Sequence, residues 1–158
     1  MSIQDQLITD MRSAMKSRNE VVKNTVRLIR SAIQYEEKDS GETANDEAVI
    51  NVLSRMMRQY KESIEAYGSA GRQDLVEKEQ AQLEIILQYL PDQLDRDSLL
   101  DMTKSILDDL GATGMGDRGK VMGTLMPRIR GRADGSLVNS VVVELLESLE
   151  SKGSDSDD

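Results

Sequence analysis

Apolar side chains recur every three or four residues along almost the whole chain, and nowhere does a period of two persist for the length of a strand. This pattern predicts an all-α protein. Ile3, Leu7, Met11 and Ala14 share one face of a helix running from a Ser2 cap to about Ser17, with Ile8 and Met15 beside them. Asn19 caps a second helix to about Lys38, in which Val22, Val26, Ile29 and Ile33 stack and Val21, Leu28 and Ala32 widen the stripe. Residues 39–46 form a loop by composition and end in Asn45 or Asp46, either of which can cap a third helix reaching about Tyr67. That helix buries Val49, Leu53, Met56, Met57, Tyr60 and Ile64, and Gly68 and Gly71 close it. A fourth helix from about Gln73 to Leu90 turns Leu75, Leu83, Ile86, Leu87 and Leu90 inward, and Pro91 ends it because the residue before a proline is biased away from helical geometry.

Asp95 caps a fifth helix to about Leu110, with Leu99, Met102, Ile106 and Leu110 on one side and Gly111 and Gly114 as its stop. The last helix starts at an Asp134 or Ser136 cap and repeats Val138, Val141, Val142, Leu145 and Leu149. The predicted organisation is an N-terminal four-helix domain over 1–92, a C-terminal three-helix module over 93–150 and an acidic tail, 151–158, with nothing to bury and no order of its own.

Between the fifth and last helices lies a stretch, residues 117–136, that departs from ordinary core helices. Met122, Leu125, Met126 and Ile129 fall on one apolar face, and Lys120, Thr124 and Arg128 on another. Gly119 and Gly123 are one turn apart, so a neighbouring backbone can come close along that edge. Pro127 cannot donate to the carbonyl of Gly123, so the helix bends or ends nearby. Arg128, Arg130 and Arg132 crowd its exit, where the negative end of the helix dipole favours cations, and Gly131 can splay the last two apart.

Composition narrows the chemistry. The chain has neither histidine nor cysteine, which removes the commonest general base, the commonest zinc ligand, thiol nucleophiles, disulfides and iron–sulfur clusters. No apolar run spans a bilayer, and the N-terminus is too polar for a secretory signal, so a cytoplasmic protein without membrane contact is expected. With no Phe or Trp, aliphatic side chains and nine Met fill the core. The net charge of −9 argues against a uniformly basic surface, yet cations are concentrated in two places. Residues 12–30 set Arg12, Lys16, Arg18, Lys23, Arg27 and Arg30 against Glu20, and residues 117–134 set Arg118, Lys120, Arg128, Arg130 and Arg132 against Asp117 and Asp134.

No catalytic constellation is visible. Carboxylate clusters such as Glu36, Glu37 and Asp39 read as solvated helix faces, not as a metal site or acid–base pair, and no cofactor is expected. Consecutive Lys61, Glu62 and Ser63 point in different directions and cannot act as a unit. Met115-Gly-Asp-Arg-Gly-Lys lacks the spacing of a phosphate loop. The functional candidate is instead anion contact through Arg118, Lys120, Arg128, Arg130 and Arg132, at the start and exit of one helix, with Lys16, Lys23, Arg27 and Arg30 as a secondary basic patch. The alternative is that the arginines cap the helix and pair with Asp117 and Asp134. Scarce aromatics disfavour stacking on single-stranded bases and favour shape and phosphate contacts to folded RNA, with transfer RNA the natural candidate.

Several short blocks resemble one family, the YqeY-like or GatB/YqeY domain proteins: Ala14-Met15-Lys16, Arg27-Leu28, Lys61-Glu62-Ser63-Ile64-Glu65, Gly71-Arg72 with Asp74-Leu75, Glu77-Lys78-Glu79, Tyr89-Leu90-Pro91, Gly119-Lys120-Val121-Met122-Gly123 and Gly131-Arg132-Ala133-Asp134. Their order and spacing cover about residues 1–150. The resemblance implies an N-terminal multihelical domain and a C-terminal module similar to the tail of the B subunit of the tRNA-dependent amidotransferase, a tail thought to contact tRNA. By that resemblance the chain is a non-catalytic protein that associates with tRNA or a tRNA-handling enzyme. Two alternatives are a component of glutamine-dependent amidotransferase activity, a carbon–nitrogen ligase with glutamine as amido donor, and a protein-interaction module. Met57-Arg58-Gln59-Tyr60 departs from the more basic run expected of the family at that place.

Overall fold

The computed structural model describes residues 1–154 and is all-helical. Seven α-helices are present among the described residues: α1 Ile3–Ser17, α2 Glu20–Ser40, α3 Asp46–Ser69, α4 Gln73–Leu87, α5 Arg96–Leu110, α6 Arg118–Ile129 and α7 Gly135–Ser154, with a short 3-10 turn, Met115–Asp117, before α6. None of them is long and apolar enough to cross a membrane. The chain divides into two compact units, one of residues 1–91 and one beginning at Asp92.

Short polar side chains start the helices of the first unit. The Ser2 hydroxyl accepts the Asp5 amide while the Asp5 carboxylate reaches back to the Ser2 amide, a reciprocal capping box. Asn19 and Asn45 accept the amides of Val22 and Ala48 in the same way. α2 ends at Gly41, whose φ of 75° suits a residue without Cβ. α1 ends instead on Arg18 at φ 57°, a left-handed conformation that a residue with a Cβ adopts only at a cost.

Leu7, Val26, Ile29, Ile33, Val49, Leu53, Met57 and Ile86 form the core of this unit. Several expectations for it need correction: Met15, placed beside the apolar face of α1, is 60% exposed, and α4 ends at Leu87, short of Leu90. Val21 and Leu28 do not widen the α2 stripe but are each 47% exposed. In α4 the buried side chains include Val76 and Ile85, whereas Leu75 is only half-buried. A broad apolar stripe can turn either edge inward, and neighbouring helices decide which. Tyr89, just beyond α4, is buried and donates its hydroxyl to the Asp10 carboxylate of α1; burial first, and then that partner, raise its pKa.

In the second unit Asp95 caps α5 by accepting the Ser98 amide at 2.7 Å. Leu99, Ile106, Val121, Leu125, Ile129, Val138, Val141, Val142 and Leu146 make a separate core between α5, α6 and α7. Leu110, expected inside, is 41% exposed, and Leu107 takes the inward place. α7 begins where Asp134 accepts the Ser136 amide, and its helix continues through Ser154. Residues 151–154, expected to lack order, are therefore helical, while residues 155–158 of the expected tail lie outside the described residues.

Candidate nucleic-acid interface

α6 is a helix that its own sequence supports poorly. Its twelve residues include two glycines and Pro127, and no side chain caps its start. It is held by tertiary contacts. Val121, Leu125 and Ile129, at i, i+4 and i+8, are at most 1% exposed, and Met122 and Met126 pack half-buried beside them. The buried stripe is thus centred nearer Val121 than the sequence pattern suggests, because α6 packs against both α5 and α7.

The opposite face has almost no side chains. Gly119, Gly123 and Pro127 recur at i, i+4 and i+8, and all three are exposed. A Cβ added at Gly119 or Gly123 would meet nothing within 4 Å. The close backbone approach expected along this edge is therefore not made by any described residue, and the strip faces open space. Gly114, by contrast, does sit under a neighbour: an added Cβ there would lie 2.7 Å from Cγ of Glu150. Glu150 also accepts the Met115 amide at 2.7 Å, fixing the turn ahead of α6 to α7.

Lys120 and Arg128 border the bare strip, both exposed, and neither enters an ion pair among the described residues. They are separated by roughly 12 Å along the helix axis. Thr124 between them turns its hydroxyl back to the Lys120 carbonyl at 3.0 Å. The remaining cations are placed differently. Arg118 is exposed and donates to Asn139 of α7. Arg130 is exposed at the exit, followed by Gly131 at φ 76°, which turns the backbone between it and Arg132. Arg132 is half-buried: its Nε donates to the Asp92 carbonyl at 3.2 Å, its amide to the Ile129 carbonyl at 2.8 Å, and its carbonyl accepts the Leu94 amide at 2.7 Å. Gln93 adds a bond to the Gly131 carbonyl at 2.7 Å. Arg132 thus clasps the α6–α7 turn to residues 92–94, a role its place in an arginine run does not announce.

At the start of α6 two backbone amides are already bonded. The amides of Asp117 and Arg118 are taken by the carbonyls of Gly114 and Met115. The Asp117 carboxylate accepts the Thr113 amide at 2.8 Å, the main reason its pKa is lowered, with the charge of Lys120 a smaller contribution.

The secondary patch in the first unit is partly occupied. Lys23 pairs with Glu20 at 2.9 Å, and Arg30 is half-buried against the Met11 sulfur at 3.6 Å, while Lys16 and Arg27 are exposed. The residues missed by sequence reasoning are the holders, Asn139, Asp92, Gln93 and Glu150; nothing in their local spacing marks them, because each acts across a gap of at least 21 residues.

Fold and site together define a class: an all-helical protein whose carboxyl-terminal helices display a side-chain-poor, cation-bordered strip. The chain belongs to the YqeY-like family, whose model, described as "Yqey-like protein", matches residues 4–146. Among its relatives is "Altered inheritance of mitochondria protein 41, mitochondrial" of Pyrenophora tritici-repentis, 33% identical over 143 residues, covering 89% of this chain and 78% of that protein. The protein of the same name from Saccharomyces cerevisiae is 35% identical over 105 residues, covering 64% of this chain and 56% of that protein. An uncharacterized protein of Schizosaccharomyces pombe is 37% identical over 79 residues, half of this chain and 64% of its own length. The mitochondrial relatives overturn the expected cytoplasmic location. That expectation rested on the absence of a bilayer-spanning run and of a secretory pattern, and neither absence distinguishes the cytoplasm from an organelle interior.

Proposed function

We propose that this chain is a non-catalytic RNA-contact protein that lays the bare strip of α6 against the phosphodiester backbone of a folded RNA, with transfer RNA as its first candidate. The observation that carries this is the pairing of a side-chain-poor surface, the bare Gly119 and Gly123 followed by the compact ring of Pro127, with the exposed cations Lys120 and Arg128 at its border. A helix lacking side chains along one edge lets a polymer backbone approach more closely than any other residue choice permits. Cations beside that edge then meet phosphates at short range, a contact that positions the protein without reading sequence. Arg118 and Arg130 extend the positive surface at either end, and Arg132 keeps the exit turn in place.

The test is fluorescence anisotropy with labelled tRNA, an RNA duplex and a single strand. Replacing Lys120 and Arg128 together by Gln should weaken tRNA binding on the order of tenfold or more. Gly123→Leu, which adds bulk without changing charge, should weaken it as well while leaving the helix intact. Undiminished affinity in both variants, or no tRNA binding by the parent protein, would remove the proposal.

A further inference from the structure

The chain has nine methionines and no cysteine, so all of its oxidisable sulfur is thioether. The place of each thioether decides what an added oxygen does. Met57 is 2% exposed and out of reach, whereas Met1 and Met15, 93% and 60% exposed, are in reach but belong to neither core. Met11, Met56, Met102 and Met115 are half-buried on elements held by other means. Ser2, Asn45 and Asp95 cap α1, α3 and α5, and Glu150 ties the turn at Met115.

Met122 and Met126 are placed differently. They lie half-buried one turn apart on α6, the helix with two glycines, a proline and no side-chain cap. Both pack against the core that Val121, Leu125 and Ile129 enter, so thioethers supply much of the apolar surface that holds this helix. At about 100° per residue they line the edge of the bare strip opposite Lys120 and Arg128. Only open space lies over the glycines beside them, so solvent reaches their outer sides.

We infer that Met122 and Met126 are a reversible oxidation site that governs whether α6 stays docked on α5 and α7. A hydroperoxide transfers one oxygen atom to each sulfur: the O–O bond breaks, an S–O bond forms, the sulfur gives up two electrons, and the peroxide leaves as water or an alcohol. The sulfoxide is a polar acceptor, and keeping it at the core edge means burying that acceptor. A helix with its own caps tolerates such a loss. α6 has no such support, so the oxidised side chains turn to water and the helix opens locally. A thiol-dependent sulfoxide reductase closes it again, the oxygen leaving as water while two thiols become a disulfide. The strip exists only while α6 is helical, so oxidation also removes the RNA contact; this consequence alone rests on the function proposed above.

The test treats the full chain with dilute hydrogen peroxide, locates added oxygen by peptide mass spectrometry and follows amide hydrogen exchange. Once Met122 and Met126 are converted, α6 amides should exchange about tenfold faster or more, while those of α2 stay unchanged. A pair of methionine sulfoxide reductases, one for each sulfoxide epimer, with dithiothreitol should restore the original rates. The double variant Met122→Leu, Met126→Leu, close in volume and inert to peroxide, should keep α6 protected through the same dose. Should that variant misfold, loss of protection in the parent must still track oxygen at these two sulfurs and not at Met1 or Met15. tRNA affinity of the same samples should fall with α6 protection; exchange that responds in a protein that does not bind tRNA supports the oxidation site and removes only the RNA reading. Unchanged α6 exchange with both sulfurs oxidised, no oxygen on them at a dose that saturates Met15, or equal loss of protection in the double variant would overturn the inference.

Discussion

α2 and α6 reach a helical state by opposite routes. α2 has 21 residues, an Asn19 cap and a glycine stop, so the local signals at both of its ends agree with the structure. α6 has 12 residues, no side-chain cap, two glycines and a proline, and is helical because Val121, Leu125 and Ile129 fill the core of its unit. The difference shows where function can be placed. A helix secured from one side by tertiary packing can leave its other face without side chains, and a bare face bordered by cations is suited to a backbone and its phosphates. A helix secured locally keeps its full complement of side chains, and in α2 some of the apolar ones, Val21 and Leu28, are left exposed.

The largest effect that separates the two routes is loss of packing. Leu125→Ala empties a fully buried position in a short helix with little else to hold it, and should cost about 2–5 kcal/mol in urea unfolding. Tyr89 and Leu7 in the other unit should keep native hydrogen-exchange protection in this variant. Next come two substitutions of opposite sign. Asn19→Ala removes the α2 cap and should destabilise by about 1 kcal/mol, whereas Gly123→Ala, at an open helical position, should stabilise by up to about 1 kcal/mol. If both destabilise, α6 is using its bare strip to hold its own fold.

Acid gives a smaller, graded effect. Glu37, Asp95 and Asp117 have pKa values lowered chiefly by backbone amides, of Ala44, Ser98 and Thr113 respectively. Because the folded values lie below the unfolded ones, their stabilisation is present above the ordinary carboxylate range and is lost as pH falls through the folded values. The melting temperature should therefore decline below about pH 4, and less steeply in Asp95→Asn and Asp117→Asn. Tyr89 works in reverse: its raised pKa gives stability that is complete below the ordinary tyrosine value and is lost as pH rises beyond it. The smallest expected change is Arg18→Gly, which relieves the left-handed α1 terminus and should raise stability by a few tenths of a kcal/mol to about 1 kcal/mol.

Much of the fold was legible because capping is local. Ser2, Asn19, Asn45 and Asp95 each start a helix within a few residues of their own positions, and Gly111 ends one. Facing was less legible. Leu28 and Val26 are equally apolar, and only the packing of α1, α3 and α4 decides that one is exposed and the other buried. At the site the residue types could be read, but not their engagement. Nothing in the run Arg128, Arg130, Arg132 says that Arg132 is tied to the Asp92 carbonyl while Arg128 is not tied at all among the described residues. The glycines were read as a place of close approach, and only coordinates could show that no described part of the chain approaches them.

Salt dependence of tRNA binding tests the central claim most directly, since each phosphate neutralised contributes a fixed increment to the slope of log affinity against log salt. The Lys120→Gln, Arg128→Gln protein should bind with a slope shallower by about 1 to 2 than the parent, while Arg55→Gln, a cation of the first unit already paired with Glu36, leaves it unchanged. Equal slopes for the parent and the double variant would contradict the claim that these two side chains meet phosphate.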